Sequence, residues 1–427
     1  MAVFVKQRKW AIWAFLGAFL AGQLPVYADG AMTWEDCIRA AAKGNPDIIS
    51  ARSTHESDVN KRRAAYSGFL PQLSGSLSYN SGNFSTGSTG NYTTDTYSAS
   101  VSANQNVFSG FRDYGLVKQA SATADASQYA LKNTMVRISY DLKNAFAQML
   151  YSQENTKLQD QIIKRRKENA GLVTLRFEAG MENKGNELLS NAFLAQAKYD
   201  KRQAERSIEV TRQQLSKVIG REDDSNVKIA GKIPIPDPSG IGDPFDIVKE
   251  NPQYRVALAK ERASQAAVTL AKSNFSPTFG LNASAAKQGN SWSMANNTTT
   301  WGFSVGVPIF NGANNIFTFK SSQADLAAAK ANRQNIENDL MAKLKQYYAD
   351  YVNAYEKLKV DKEFLEAATV RADIARNRYR NGLLTFDNWD IIENDLITKQ
   401  QTYIASERNL YTAEAAWEQA AGRGVFE

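Results

Sequence analysis

Four segments of the chain alternate apolar and small polar residues with period two. In the first, Leu73, Gly75, Leu77 and Tyr79 interleave with Ser74, Ser76, Ser78 and Asn80. In the second, Tyr97, Ala99, Val101 and Ala103 interleave with Ser98, Ser100, Ser102 and Asn104. The third sets Phe279, Leu281, Ala283 and Ala285 against Thr278, Gly280, Asn282 and Ser284. The fourth sets Trp301, Phe303, Val305, Val307 and Ile309 against Gly302, Ser304 and Gly306. This period predicts strands over 72–80, 96–107, 278–286 and 300–309, each with one apolar and one polar face. The Ser/Thr/Gly/Asn-rich stretches Ser81 to Thr94 and Lys287 to Thr299 read as the connecting loops.

Elsewhere the spacing is helical. Leu131, Met135, Ile138, Leu142, Ala145 and Met149 recur at heptad-like intervals, as do Tyr347, Tyr351, Ala354 and Leu358. Arg112 to Ala179 and Ala313 to Asn381 contain no proline, so each can run as one helix of about 100 Å. Gly180 and Gly382 permit a reversal, and a shorter helix then returns to Gly220 or Gly422. The predicted hairpins are 112–220 and 313–422. Asn45-Pro46 and Asn251-Pro252 read as a cap followed by proline at the first helical position. The helices they open run towards Pro71 and Pro277. Stacked end to end on the returning legs, they would fill a height difference of about 40 Å between the two legs of each hairpin.

These elements occur twice. Asn45-Pro46 returns as Asn251-Pro252, Phe69-Leu70-Pro71 as Phe275-Ser276-Pro277, and Phe108-Ser109-Gly110 as Phe310-Asn311-Gly312. Arg176-Phe177-Glu178-Ala179-Gly180 returns as Arg378-Tyr379-Arg380-Asn381-Gly382, and Gly220-Arg221 as Gly422-Arg423. The spacing is roughly 200 residues throughout, the mark of a tandem duplication. The expected organisation is a signal peptide at 1–28, a first repeat at 29–230, a proline-rich linker at 231–244 and a second repeat at 245–427. The first 28 residues carry Lys6, Arg8 and Lys9, an apolar run from Trp10 to Leu20, and Val26-Tyr27-Ala28 as a cleavage site. The run is too short to span a bilayer as a helix.

Composition narrows the function. The chain has 427 residues, 51 Lys+Arg, 44 Asp+Glu, one His and one Cys. A single Cys and a single His exclude a disulfide framework and a zinc ribbon, and no catalytic metal or cofactor is expected. Losing Lys6, Arg8 and Lys9 with the signal lowers the formal charge of +7 by three, which gives nucleic acid no claim on the protein. No phosphate loop, nucleophile elbow or His-Glu-x-x-His motif occurs, so no enzyme is predicted.

Alternation alone fits a soluble sheet as well as a membrane strand. The polar face favours the membrane, because it is Ser, Asn, Thr and Gly with almost no charge, as in a wet lumen. The candidate lipid-facing residues are Leu73, Leu77, Tyr79, Tyr97, Val101, Phe279, Leu281, Trp301, Phe303, Val305 and Val307. Trp292, Tyr92 and Phe84 join Tyr79, Tyr97 and Trp301 as a candidate aromatic girdle. Four strands cannot close a barrel, so other copies must complete it: two give eight strands, three give twelve.

The export signal, the duplicated halves, the strand pairs ending in Phe-x-Gly and the Arg-aromatic-x-x-Gly reversals resemble the TolC family of outer-membrane efflux proteins. The resemblance runs from Thr33 to Arg423 and is carried by Arg176 to Asp200, Arg378 to Tyr403, Val107 to Gly110 and Pro308 to Gly312. It implies a mainly α fold with a membrane β-barrel portion. It implies a homotrimer, a twelve-stranded β-barrel on a twelve-helix α-barrel, in the outer membrane of a Gram-negative bacterium. It implies docking on a periplasmic adaptor and an inner-membrane transporter that supplies the energy.

By the same resemblance the tips, Ala179-Gly180-Met181 and Asn381-Gly382-Leu383, meet the adaptor. The family's pore constriction uses two acids after the second tip. Here Asn388 and Ile391 stand in those places, and Asp387 and Asp390 each lie one residue earlier, about 100° round the helix. The constriction candidates are therefore Asp387, Asn388 and Asp390, with solvated outer-face charge as the alternative. Glu182, Asn183, Lys184, Gly185 and Glu187, just past the first tip, read as exposed surface. An exit duct for type I protein secretion has the same sequence signature. A secreted coiled-coil scaffold without a pore is the competing reading of another class.

Overall fold

A computed structural model describes residues 31–427 apart from 87–89, 222–226, 236, 239–242 and 427. The expected signal segment, 1–28, lies outside the described residues. Helices α1 (Trp34–Gly44) and α2 (Pro46–Ala65) lead through a 3-10 turn to strands β1 (Gln72–Thr86) and β2 (Gly90–Phe108). A hairpin follows, α3 (Arg112–Glu178) and α4 (Lys184–Ile219). The second half repeats the order: α5 (Pro244–Glu250), α6 (Pro252–Ser273), β3 (Thr278–Gly289), β4 (Asn296–Gly306), α7 (Asn314–Arg380) and α8 (Phe386–Ala420).

The strands form one antiparallel sheet in the order β1-β2-β3-β4. Their ends differ from the pattern-based expectation. The segment Ser81 to Thr94, expected as a loop, is largely ladder, with pairing continuing from Asn80↔Thr96 to Thr86↔Gly90. Register fixed lower in the hairpin carries on through polar residues, and Thr93 donates to Asn83 across it at 2.6 Å. Strand β4 starts earlier than expected, through the β-branched Thr298 to Thr300, and stops at Gly306. Pro308 has no N–H for the ladder, so Val307 and Ile309 lie beyond the strand.

The helices stand in four columns. Each of α3 and α7 has 67 residues and is continuous, about 100 Å long. The other two columns are jointed. Asn45 caps α2 through the N–H groups of Asp47 and Ile48 and donates its Nδ2 to Val218 O, at the end of α4, at 2.8 Å. Asn251 does the same for α6, capping Gln253 N and donating to Ala420 O at the end of α8 at 2.9 Å. The Asn-Pro pair thus both starts a helix and fastens it to the column below. At the first joint the backbone carbonyl of Gly44 would lie 2.0 Å from a Cβ on Gly220, so that position takes glycine for space as well as for its φ of +73°.

The largest core lies beside the first joint. Trp34, Cys37 and Ala41 of α1 pack with Leu142, Phe146 and Met149 of α3 and Leu215 and Ile219 of α4. Val227, Ile229 and Ile233, beyond α4, seal the same core, and Met32 bridges to Ile229. Cys37 is fully buried there, and burial pushes its thiol up to about 12.

Candidate functional site

Cross-strand register sorts the sheet residues into two faces. Leu73 pairs with Ala103, Ala103 with Ala283, and Ala283 with Trp301. In the neighbouring rows Tyr79 pairs with Tyr97, Leu281 with Phe303, and Phe279 with Val305. Directly opposed residues share a face, so Leu73, Leu77, Tyr79, Tyr97, Val101, Phe279, Leu281, Trp301, Phe303 and Val305 are brought together. All but Tyr97 are exposed, Trp301 to 85% and Phe303 to 78%. Tyr97 is half-buried between Tyr79 and Trp292, its ring 4.9 and 5.7 Å from theirs. A bulge between Asn106 and Phe108 returns Phe108 to this face against Phe279.

The opposite face is a ladder of hydroxyls. Ser74–Ser102, Ser76–Ser100 and Ser78–Ser98 are linked Oγ to Oγ at 2.7, 2.8 and 2.7 Å, and Ser284–Thr300 at 2.7 Å. One face is apolar and bare up to Asp95 and Lys287 near its loop end, the other uncharged and hydrogen-bonding, and β1 and β4 each have an unpaired edge among the described residues. A sheet with its greasy side unburied is not a soluble core.

At the far end the two hairpins turn in the same way. Gly180 N–H reaches Phe177 O at 2.9 Å and Met181 N–H reaches Arg176 O at 2.8 Å. Gly382 and Leu383 repeat this to Tyr379 O and Arg378 O at 3.0 and 2.9 Å. The pattern needs a left-handed residue, which Gly180 and Gly382 supply at φ of +73° and +76°. Ala179, Gly180, Met181, Asn381, Gly382 and Leu383 are all exposed.

Between the tips lies a contact that the sequence did not disclose. Tyr379, fully buried on α7, stacks on Trp389 of α8 at 4.2 Å and donates its hydroxyl to Glu182 Oε2 at 2.9 Å. Arg176 lies over the same ring at 4.9 Å and donates to Tyr379 O at 3.1 Å. Glu182, expected as plain surface, is therefore a cross-hairpin acceptor. Burial opposes its charge, but hydrogen bonds from Asn186, Tyr379 and the Asn183 N–H outweigh burial and hold it below the usual carboxylate range. Burial, then the bond to Glu182, raises the Tyr379 hydroxyl well above its ordinary value.

Just above the tips, α3 binds α7 and α8 through a charged network. Arg165 grips Glu393 with two donors, Nε at 2.6 Å and Nη2 at 2.9 Å, and Asn169 adds a third at 3.0 Å. Asp373 of α7 lies 3.5 Å from Arg165. Asp390 faces Arg166 at 3.4 Å and accepts from Asn394 at 2.9 Å. Burial raises the Asp390 carboxyl above its usual range, against the pull of Arg166. Asp387 and Asn388 are exposed, and Asn388 donates to Thr385 at 3.0 Å. The three constriction candidates are thus divided: Asp390 is spent on α3, while Asp387 and Asn388 are free to face something else.

A second ionic cluster joins the hairpins at mid-height. Lys143 of α3 lies 2.9 Å from Glu414 and 2.7 Å from Glu418, both on α8. Glu414 is 1% exposed, and burial pushes its carboxyl up to about 7 despite Lys143, which it shares with Glu418. Among the described residues no His/Cys/Asp/Glu cluster could hold a metal, and no helix is long and apolar enough to cross a membrane.

Helical hairpins under a two-faced, open-edged sheet define the class as a TolC-like outer-membrane channel chain. The chain belongs to the outer membrane efflux protein family, whose model matches residues 37–221 and 246–423. None of the curated proteins matches the sequence. Among solved structures, the outer-membrane channel OprN is 20% identical with a TM-score of 0.81, covering 92% of this chain and 90% of its own. VceC, an outer-membrane protein of Vibrio cholerae, is 17% identical with a TM-score of 0.81, covering 92% of this chain and 97% of its own. The CmeC channel of Campylobacter jejuni is 14% identical with a TM-score of 0.81, covering 100% and 95%. At these identities the likeness is one of fold.

Proposed function

We propose that three copies of this chain form the outer-membrane exit duct of a tripartite efflux pump, conducting passively what a periplasmic adaptor and an inner-membrane transporter deliver. The observation that carries the reading is the sheet: an apolar face, a hydroxyl face and two unpaired edges. Unpaired strand edges are not tolerated in lipid, and only closure with other copies removes them. Along β3 the apolar face runs from Phe279 to Ala285, roughly 20 Å of strand, with Lys287 following it at the loop end. Leu73, Leu77, Val101, Leu281, Trp301, Phe303 and Val305 then face lipid, and the serine rows line water.

The exposed tips around Gly180 and Gly382 are the adaptor contacts in this reading. The periplasmic end is held narrow by the links between hairpins, Tyr379–Glu182 and Arg165–Glu393, with Asp387 and Asn388 left to face the axis. Detergent-purified oligomer in a planar bilayer tests this. A small conductance that rises in Asp387→Ala places the constriction there, and one that rises only in Tyr379→Phe places it at the hairpin links. Protein that stays soluble without detergent and never inserts refutes the duct.

A further inference from the structure

We propose that the helical columns end at the sheet in a cationic collar that binds anionic phospholipid headgroups of the membrane leaflet nearest the helices. The proposal rests on the outer-membrane reading above and deepens it. Every column carries unpaired positive charge where it meets the strands. Arg62 and Arg63 close α2, Arg112 and Lys118 open α3, Lys272 closes α6 and Lys320 opens α7. Among the described residues none of these six takes part in an ion pair of 4.0 Å or less. The acid in these same stretches, Asp113, is buried and bonded to Ser109.

Helix chemistry explains only part of this. Cations at the ends of α2 and α6 are favoured by the helix dipole. At the starts of α3 and α7 the dipole favours acids instead; α3 has Asp113 beside Arg112, the first turn of α7 has none, and Lys118 and Lys320 each stand seventh in their helices, beyond the first turn where the dipole acts. The dipole therefore gives no account of Arg112, Lys118 and Lys320.

The neighbouring side chains say what. Lys118 lies over the Tyr114 ring at 5.4 Å, Lys320 over Phe317 at 5.9 Å and Lys272 over Phe319 at 5.8 Å. Phe310 is 84% exposed, and Phe111, Tyr114 and Phe317 are exposed too. Rings and cations at one level, where an apolar strand face stops, match the polar boundary of a bilayer. There the rings sit among headgroups and the long cationic side chains reach phosphate. A soluble anion would account for the charge but not for the bare phenyl rings. The strands themselves are almost uncharged, Asp95 and Lys287 being their charged residues, so the collar belongs to the helix side of the sheet alone.

The test uses the purified full-length oligomer in detergent, incubated with equal phosphatidylglycerol and phosphatidylcholine, with retained lipid counted by native mass spectrometry. Wild type should retain phosphatidylglycerol selectively. The triple variant Lys118→Gln, Lys272→Gln, Lys320→Gln should lose about tenfold of that retention, since each near-surface cation contributes measurably to anionic lipid binding. The triple Lys→Arg variant should keep it, and Lys287→Gln should be unchanged. Equal retention by wild type and the Gln triple overturns the collar. So does a Gln triple that alters the ion selectivity of the pore without altering lipid retention, because its cations then line the lumen. Insertion of wild type into bilayers of phosphatidylglycerol and phosphatidylcholine is measured in parallel. Failure there sinks the membrane reading, whereas insertion without lipid preference sinks only the collar.

Discussion

Glu414 is a carboxyl that the fold keeps protonated more readily than water does. Its ordinary value is 4.5, and in the fold it lies at about 7. Below pH 4.5 both folded and unfolded chains hold the proton, and the group is neutral to stability. As the pH rises towards 7 the unfolded chain releases a proton that the folded chain keeps, so stability falls. Above 7 the fold must bury a charge. The full penalty is on the order of 3 kcal/mol, and the side chain is 1% exposed, so solvent screening takes little from it. Glu414→Gln presents the neutral form at every pH. The variant should lie within about 1 kcal/mol of wild type at pH 5 and be roughly 3 kcal/mol more stable at pH 8. Guanidinium unfolding followed by helical circular dichroism, in detergent at both pH values, measures the difference. Other titrating groups, such as Asp141 and Asp390, cancel between the two proteins. A gap of equal size at both pH values refutes the reasoning. A variant less stable than wild type at pH 8 does so as well, since the Lys143–Glu414 contact at 2.9 Å would then outweigh burial.

Tyr379→Phe keeps the stack on Trp389 but removes the donor to Glu182, weakening the hairpin link by about 1–2 kcal/mol; single-channel recording should show a several-fold rise in open time. Phe303→Lys puts a charge on the apolar face at about 2–4 kcal/mol per copy and should cut the oligomer recovered from membranes, whereas Ser100→Lys on the hydroxyl face should change ion selectivity and leave assembly intact. Arg165→Ala strands the buried Glu393 carboxylate and should destabilise by about 3 kcal/mol, read as a lower melting temperature, with Glu393→Gln in the same background recovering part of it.

The duplication, the two hairpins and the four strand segments were readable because each rests on a local signal: period two, an absence of proline, or a glycine at a reversal. Strand ends were not. Ser81 to Thr86 carries no apolar alternation, and it stays in the ladder only because β2 lies beside it. The tip glycines could be found from sequence, and Arg176 and Tyr379 stand in the repeated motif before them. Their contact could not be found, since Glu182 and Tyr379 are 197 residues apart and meet only through the packing of α3 on α8. The same holds for Asp390: a shift of one residue on α8 turns it towards Arg166 rather than away.

The joints between helices set how force travels through the molecule. A pull or twist at the tips reaches the sheet along α3 and α7 without interruption, because each is one unbroken rod. Along the other two columns it must cross an end-to-end joint between helices distant in the chain, fastened by an asparagine side chain, Asn45 to Val218 or Asn251 to Ala420. Stiff and compliant struts therefore alternate around the protomer. If the proposed duct opens at its tips, the two asparagine joints, rather than α3 or α7, are where its columns would yield.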